Sequence, residues 1–407
     1  MGTVQPHICV TSRCDCGMSR RDFLKFSAIT SAALAMPLLH AGDAYAKQFT
    51  GDDMPVKIGY LPITDATPLL AAHALGLYEA EGLTCETPRL FRTWAQIVEA
   101  FVSGQINVIH LLAPATLWVR YGAHFPAKIV AWNHTNGSAL TVANSINHIS
   151  DLAGKTVAVP FWYSMHNILL QQLLRDNNLI PVTNGRTKQL ADNEVRLIVQ
   201  PPAEMISALA SGAIAGFIVA EPFNAIAESK GIGKVLRFSG DIWKDHACCV
   251  TFLSERDIEQ RPIWAQKVTS ALVKAQLWVK DHPEQTARLL SNTAKQRYSP
   301  HDAEILQRVF SEQDYLQYQD ELAHPQWQQQ RIDFQPYPYP SYTEQLVRSL
   351  QSTQLEGNNA FLAKLEPSFV AQDLVDDRFV RSALEEVGGL SAFGLPESFS
   401  RQEAISL

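Results

Sequence analysis

Apolar and polar positions along this chain follow two alternating periods, and each change of period marks an element. Val56-Lys57-Ile58-Gly59-Tyr60 reads as a short strand, and the turn Leu61-Pro62-Ile63-Thr64-Asp65 leads into a helix from about Pro68 to Tyr78. Leu69, Leu70, His73, Leu77 and Tyr78 share helical spacing there, and Glu81-Gly82 closes the helix. Asp65 stands ahead of the first turn, where a carboxylate can accept unpaired backbone N–H groups. A second short strand is expected at about Leu83 to Thr87. Trp94 then opens a helix with Ile97, Val98, Phe101 and Val102 on one side, ended by Ser103-Gly104. Strand, helix, strand, helix is the order that builds a parallel sheet covered by helices.

The pattern then repeats. Ser103-Gly104-Gln105-Ile106-Asn107-Val108-Ile109-His110-Leu111-Leu112-Ala113-Pro114 is answered by Ser211-Gly212-Ala213-Ile214-Ala215-Gly216-Phe217-Ile218-Val219-Ala220-Glu221-Pro222. In both, a helix ends at Ser-Gly, an apolar strand follows, and proline forces a turn at its carboxyl end. The starts echo as well: Lys155 to Pro160 reads as a strand, and Trp162-Tyr163-Ser164-Met165-His166 opens a helix reaching Leu174. Two similar α/β lobes are therefore expected, with one large sheet as the alternative. Lobe 1 takes residues 47–150 and 255–407, and lobe 2 takes 151–254. A long amphipathic helix is expected from Ile263 to Val279. Beyond it, Pro336-Tyr337-Pro338-Tyr339-Pro340 cannot be regular helix, and this region with the charged stretch from Asp373 to Arg378 is expected to wrap the first lobe.

The first 46 residues carry a different pattern. Ser19-Arg20-Arg21-Asp22-Phe23-Leu24-Lys25 precedes an apolar run from Phe26 to Leu39, and Ala44-Tyr45-Ala46 offers a small-x-small cleavage site. The run is shorter than the about 20 residues that a spanning helix needs. Residues 1–46 read as a twin-arginine export signal, which places the mature chain in the periplasm and makes the twin-arginine machinery a partner.

Composition narrows the function classes. A formal charge of −7 speaks against nucleic acid as a partner, but leaves room for a small anion, which needs only local positive potential. Cys9, Cys14 and Cys16 lie in the leader, and Cys14-Asp15-Cys16 is metal-like only if the leader is retained. The remaining Cys85, Cys248 and Cys249 form no disulfide framework. Cys248-Cys249 reads first as a buried pair in a strand, with a vicinal disulfide or thiol contact to ligand as alternatives.

No glycine-rich phosphate loop, nucleophile elbow or His-Glu-x-x-His helix is present, so the chain does not read as an enzyme. The turns at the carboxyl ends of the expected strands carry another kind of residue, where open α/β sheets bind ligands. The first lobe offers Thr64, Asp65, Trp94, His110 and Trp132-Asn133-His134-Thr135-Asn136-Gly137-Ser138. The second offers Phe161, Trp162, Tyr163, Ser164, His166, Glu221 and Trp243-Lys244-Asp245-His246. Aromatic walls with imidazole, hydroxyl and one lysine suit a small polar or anionic solute. Plainer readings stand beside these: packing for Trp94, structural roles for His73 and His110, helix caps for Asp65 and His166, and a solvated side chain for Lys244. Glu221 serves either the turn or a ligand. The histidines lack the spacing of a compact metal cluster.

These residues resemble the bilobal substrate-binding proteins of ABC importers, and more closely their nitrate and bicarbonate branch, related to the sulfonate and pyrimidine-precursor binders. The likeness rests on Ile58 to Asp65 with Pro68-Leu69, on Leu112-Ala113-Pro114, on Asp241 to His246, and on Tyr339-Pro340-Ser341-Tyr342-Thr343. It is strongest in Phe369-Val370-Ala371-Gln372-Asp373-Leu374-Val375-Asp376-Asp377-Arg378-Phe379-Val380. The resemblance implies a type II periplasmic-binding-protein fold, two mostly parallel or mixed sheets flanked by helices. It implies a solute caught between two lobes and handed to an inner-membrane ABC permease with its ATPase. Trp94, His166 and Lys244 match the branch's anion-holding residues, while Ser138 stands where a glutamine is expected and Ala95 where glycine is common. The bulkier Trp162-Tyr163-Ser164-Met165-His166 segment leaves an aromatic, sulfonate or pyrimidine-type ligand open, with a pyrimidine-synthase-like enzyme or a nitrate sensor further behind. No cofactor is expected. The bicarbonate relatives use calcium, so calcium or another metal stays open.

Overall fold

The computed structural model describes residues 54–183, 189–311, 318 and 331–405, so the twin-arginine segment lies outside the described residues. The chain first lays down β1 (Ile58–Tyr60), β2 (Arg89–Leu90), β3 (Val108–Leu112) and β4 (Ala127–Trp132). A two-residue strand, β5 (Thr135–Asn136), is followed by β6 (Ser138–Ala143), β7 (Thr156–Val159), β8 (Ile180–Val182), β9 (Glu194–Val199), β10 (Gly216–Ala220) and β11 (Gly233–Phe238). The last strands are β12 (Cys249–Ser254) and β13 (Ile332–Asp333).

They assemble into a five-stranded sheet, β2-β1-β3-β12-β4, and a six-stranded sheet, β11-β6-β10-β7-β9-β8, while β13 pairs with β5. The chain crosses from the first sheet to the second between Trp132 and Ser138, and returns between Phe238 and Cys249. The result is the bilobal α/β architecture with mixed sheets flanked by helices.

The two echoed segments become equivalent strands. β3 and β10 are buried at every position, as strands covered by helices on both faces must be. Each has an antiparallel neighbour that begins beside its carboxyl end. Cys249 of β12 lies opposite Leu112 of β3, and Ser138 of β6 lies opposite Ala220 of β10. This register brings the first residues of β12 and β6 to the ligand-facing ends of the parallel strands, together with the turns that follow β1, β3, β7 and β10.

The helices follow the expected pattern, with two changes. The first helical stretch is Thr67–Ala74, broken at Gly76, whose φ of 67° suits a residue without a Cβ, and resumed at Leu77–Ala80. The strand expected near Leu83 to Thr87 is reduced to a single bridge of Cys85 with Val56, and the paired strand β2 comes later, after Pro88. Proline lacks an N–H for the ladder, which shifts pairing past it. Trp94–Val102 is capped by Thr93, whose hydroxyl accepts from Gln96 N at 3.3 Å, and Met165–Asp176 is capped by Ser164, which accepts from Asn167 N at 3.1 Å. The long helix Pro262–Asp281 buries Trp264, Val268, Leu272 and Val279. Full burial of a large apolar side chain stabilises by about 1.5–3 kcal/mol each.

The carboxyl-terminal region packs on the first sheet and also reaches the second. Asp373 accepts from Arg120 Nε at 2.7 Å, and Val375 bridges to Ile129 of β4. Gln354 exchanges bonds with Gln171 of the helix after β7, at 2.8 and 2.9 Å. Pro340 starts the helix Pro340–Gln351, so the proline-tyrosine run ends as a helix N-terminus, a position where proline loses nothing. Among the described residues, no helix is long and apolar enough to cross a membrane.

Candidate functional site

The carboxyl ends of the two sheets meet at a buried polar centre. Thr64, on the turn after β1, donates through both its backbone N–H and its hydroxyl to the Glu221 carbonyl at the end of β10, at 3.0 and 3.1 Å. Asp65, His110, His134 and His246 are fully buried, and Ser138, His166 and Trp94 nearly so. Taking this many polar side chains out of water is unfavourable unless they find partners.

Several find only half of them. His110 accepts the Leu61 N–H at Nε2 over 3.0 Å, which puts its proton on Nδ1, and Nδ1 has no partner. His246 donates from Nδ1 to the Trp243 carbonyl at 2.8 Å, leaving its Nε2 lone pair unused. His166 shares Nε2 with the Ser138 hydroxyl at 2.9 Å, and its Nδ1 is unpartnered. The Trp94 indole N–H, the Thr135 hydroxyl, Asp65 Oδ1 and His134 Nδ1 are without partners as well. Donors and acceptors left open together in one buried place make this centre the candidate for contact with something polar.

Asp65 is not a helix cap. No side chain caps the short turn of helix that contains it or the helix that follows. Its carboxylate instead lies 3.0 Å from His134 Nε2 and accepts from the Cys249 thiol at 3.2 Å. Burial opposes ionisation at Asp65, but the facing His134 holds the carboxyl below its ordinary value. Burial also disfavours the imidazolium at His134, yet Asp65 raises it to about 10, so the two form an ion pair. His110 and His246 have no such partner, and burial lowers them to about 4 and about 3.

Cys248 and Cys249 are free thiols, fully buried. Burial favours the neutral thiol at both, but Cys249, His166 and His134 around Cys248 pull it well below its usual range, while Cys249 beside Asp65 is pushed well above. Cys248 Sγ lies 3.8 Å from His166 Nε2. The pair is therefore part of the polar centre rather than apolar packing in a strand. Asp65, His134, Cys248 and Cys249 bring one ligand atom each to within 4.8 Å of one another. The histidine spacing that set metal aside concealed this, because the converging groups come from three distant turns.

The other expected site residues divide. Trp94 packs on His110, with ring centroids 5.3 Å apart, and its indole N–H stays without a partner. Tyr163 is engaged by the chain itself, stacked on Phe361 at 6.2 Å with its hydroxyl donating to the Asn358 carbonyl at 3.4 Å. Trp162 is half-buried and its carbonyl holds Asn167. Glu221 is buried against Arg331 at 2.8 Å, and its other oxygen accepts the Ala225 N–H at 3.1 Å. Burial raises its pKa, and Arg331 opposes the rise. Lys244 is exposed, although Trp243 and His246 beside it are fully buried, and its backbone N–H donates to the Ala404 carbonyl at 2.9 Å. The sequence offers His134 only within the Trp132 to Ser138 segment, and the two thiols only as an alternative to packing. Their only signal was position at the carboxyl ends of strands.

The NMT1-like family model matches residues 50–293. The chain belongs to the NMT1-like family. The twin-arginine translocation signal model matches residues 17–37, so the chain is exported to the periplasm by that route. It is similar to the nitrate/nitrite binding protein NrtA of Nostoc sp. (strain PCC 7120), 25% identical over 370 residues that make up 80% of this chain and 81% of that protein. It is also 29% identical over 273 residues, 63% of this chain, to the nitrate import ATP-binding protein NrtC of Synechococcus elongatus, of whose length it spans 40%. Among solved structures, the periplasmic nitrate-binding protein NrtA from Synechocystis PCC 6803 superposes with a TM-score of 0.70 at 20% identity, covering 87% of this chain and 94% of that one.

Proposed function

We propose that this chain is the periplasmic solute-binding component of an ABC uptake system, closing two lobes over a small anion of the nitrate or bicarbonate class. One observation carries the reading: the unpaired buried donors and acceptors gather where the carboxyl ends of two equivalent sheets face each other, with elements of both sheets contributing. Relatives named for nitrate and bicarbonate transport support the solute class and the permease and ATPase partners. A solute that bonds to both sides stabilises the closed form alone, and that differential contact makes closure ligand-dependent.

Trp94 and His110 would wall the solute on the first-lobe side, with His166 and Ser138 meeting it from the second. Thr64 and Glu221 act one step back, holding the lobes together. The lobe division at the crossings near residues 133–137 and 239–248 fits this closure. An aromatic ligand is less favoured, because Tyr163 and Phe361 already stack on each other and leave no open ring wall there. Isothermal titration of nitrate, nitrite, bicarbonate and a short alkanesulfonate into protein purified from the periplasm tests the reading. Saturable one-to-one binding of a small oxyanion supports it, and heat from the sulfonate alone opposes it.

A further inference from the structure

Asp65, His134, Cys248 and Cys249 are all fully buried, and their ligand atoms lie within 4.8 Å of one another. Two sulfurs, one imidazole nitrogen and one carboxylate oxygen are the donors of a tetrahedral site for a borderline cation. With metal–sulfur bonds of about 2.3 Å and metal–nitrogen or –oxygen bonds of about 2.0–2.1 Å, the ligand atoms of such a site stand roughly 3.3–3.8 Å apart. Asp65 Oδ2 is already 3.0 Å from His134 Nε2 and 3.2 Å from Cys249 Sγ. These two separations would widen by about 0.3 Å to admit the ion, and the remaining pairs lie within 4.8 Å. Calcium does not fit, since it requires six to eight oxygen ligands.

We propose that these four side chains form a metal site that takes a divalent cation of the zinc class at the floor of the cleft. Two details beyond the donor set point the same way. Asp65 Oδ1 is fully buried without a hydrogen bond. His134 Nε2 stands 3.0 Å from Asp65 Oδ2 and 3.3 Å from the Cys249 backbone N, so a proton or a cation between ring and carboxylate is what joins them. A proton can fill that place, and a metal ion fills it while using both thiols. Coordination forms metal–sulfur bonds and releases the thiol protons and the His134 proton to solvent.

The test uses the exported chain purified from the periplasm, stripped with a chelator and titrated with Co²⁺ and then Zn²⁺ in buffer free of oxyanions. The expected result is one equivalent of Co²⁺, with intense thiolate-to-cobalt absorption in the near ultraviolet that Zn²⁺ displaces. Cys248→Ser with Cys249→Ser should abolish that absorption, Asp65→Asn should weaken Zn²⁺ binding at least about tenfold, and Cys85→Ser should change neither. Near-ultraviolet circular dichroism establishes which variants are folded; if the double variant fails, Asp65→Asn carries the test. No thiolate absorption at stoichiometric Co²⁺, or the same absorption in the double variant, overturns the site. Because no anion is present, a failure of solute binding has no bearing on this outcome.

Discussion

Two buried clusters of charge lie at the meeting of the sheets, and they differ in how completely their groups are paired. Around Arg331, the guanidinium donates to Glu221 at 2.8 Å and Glu228 at 2.7 Å, bonds the Tyr318 hydroxyl, and lies over the Phe238 and Tyr318 rings. Both Glu221 oxygens are used, and of the Arg331 guanidinium nitrogens Nε has no partner among the described residues. Around Asp65 and His134, by contrast, an oxygen, ring nitrogens and an indole N–H remain unpaired. The first cluster is finished by the protein and holds the carboxyl-terminal region to the second sheet. The second is left unfinished among the described residues, as the proposed binding role requires. Pairing, rather than charge or burial, separates a structural network from a binding one.

That contrast yields graded expectations. Arg331→Met removes a cation that cannot be replaced and leaves Glu221 buried without its counter-ion, so urea unfolding should show a loss of about 3–5 kcal/mol. A loss below about 1 kcal/mol would remove the structural role of that network. Acid should act next, through His110, whose folded pKa of about 4 lies below its ordinary 6.5. The unfolded chain binds the extra proton first, so this contribution is present above pH 6.5 and declines as pH falls towards 4, by on the order of 3 kcal/mol. His301, also lowered by burial, adds in the same direction. Urea midpoints measured between pH 7 and 4 should therefore fall, and less steeply in His110→Gln. Asp65→Asn should cost only about 1–3 kcal/mol, because His134 can shed its proton where Arg331 cannot. An unfolding loss matching that of Arg331→Met would erase the difference between the clusters. Lys244→Ala should be close to neutral, changing solute affinity less than about twofold, since the side chain is exposed away from the centre.

The architecture was legible because its signals are local. The Ser-Gly endings, apolar runs and prolines of the two echoed segments became β3 and β10 with their turns, and Thr93 and Ser164 set the starts of the helices that carry Trp94 and His166. The site was legible only as a set of turns. Asp65 precedes a helix, and nothing nearby distinguishes a cap from a carboxylate paired with Cys249, 184 residues further along the chain. Lys244 sits in a segment of the right composition, but it is exposed, and its backbone bonds to Ala404, again remote in sequence. Cys248 and Cys249 look apolar in a strand pattern, and the register of β12 against β3 is what delivers them to the ligand-facing end.

The central claim is that the incompletely paired centre receives the solute, and calorimetric titration of nitrate and bicarbonate into wild-type and His166→Ala protein tests it most directly. His166 bonds Ser138 within the centre and contributes nothing to the Arg331 network. The account predicts one-to-one binding of at least one of the two anions to the wild type, and at least about tenfold weaker binding to His166→Ala with unfolding little changed. Equal affinity in both proteins would contradict it.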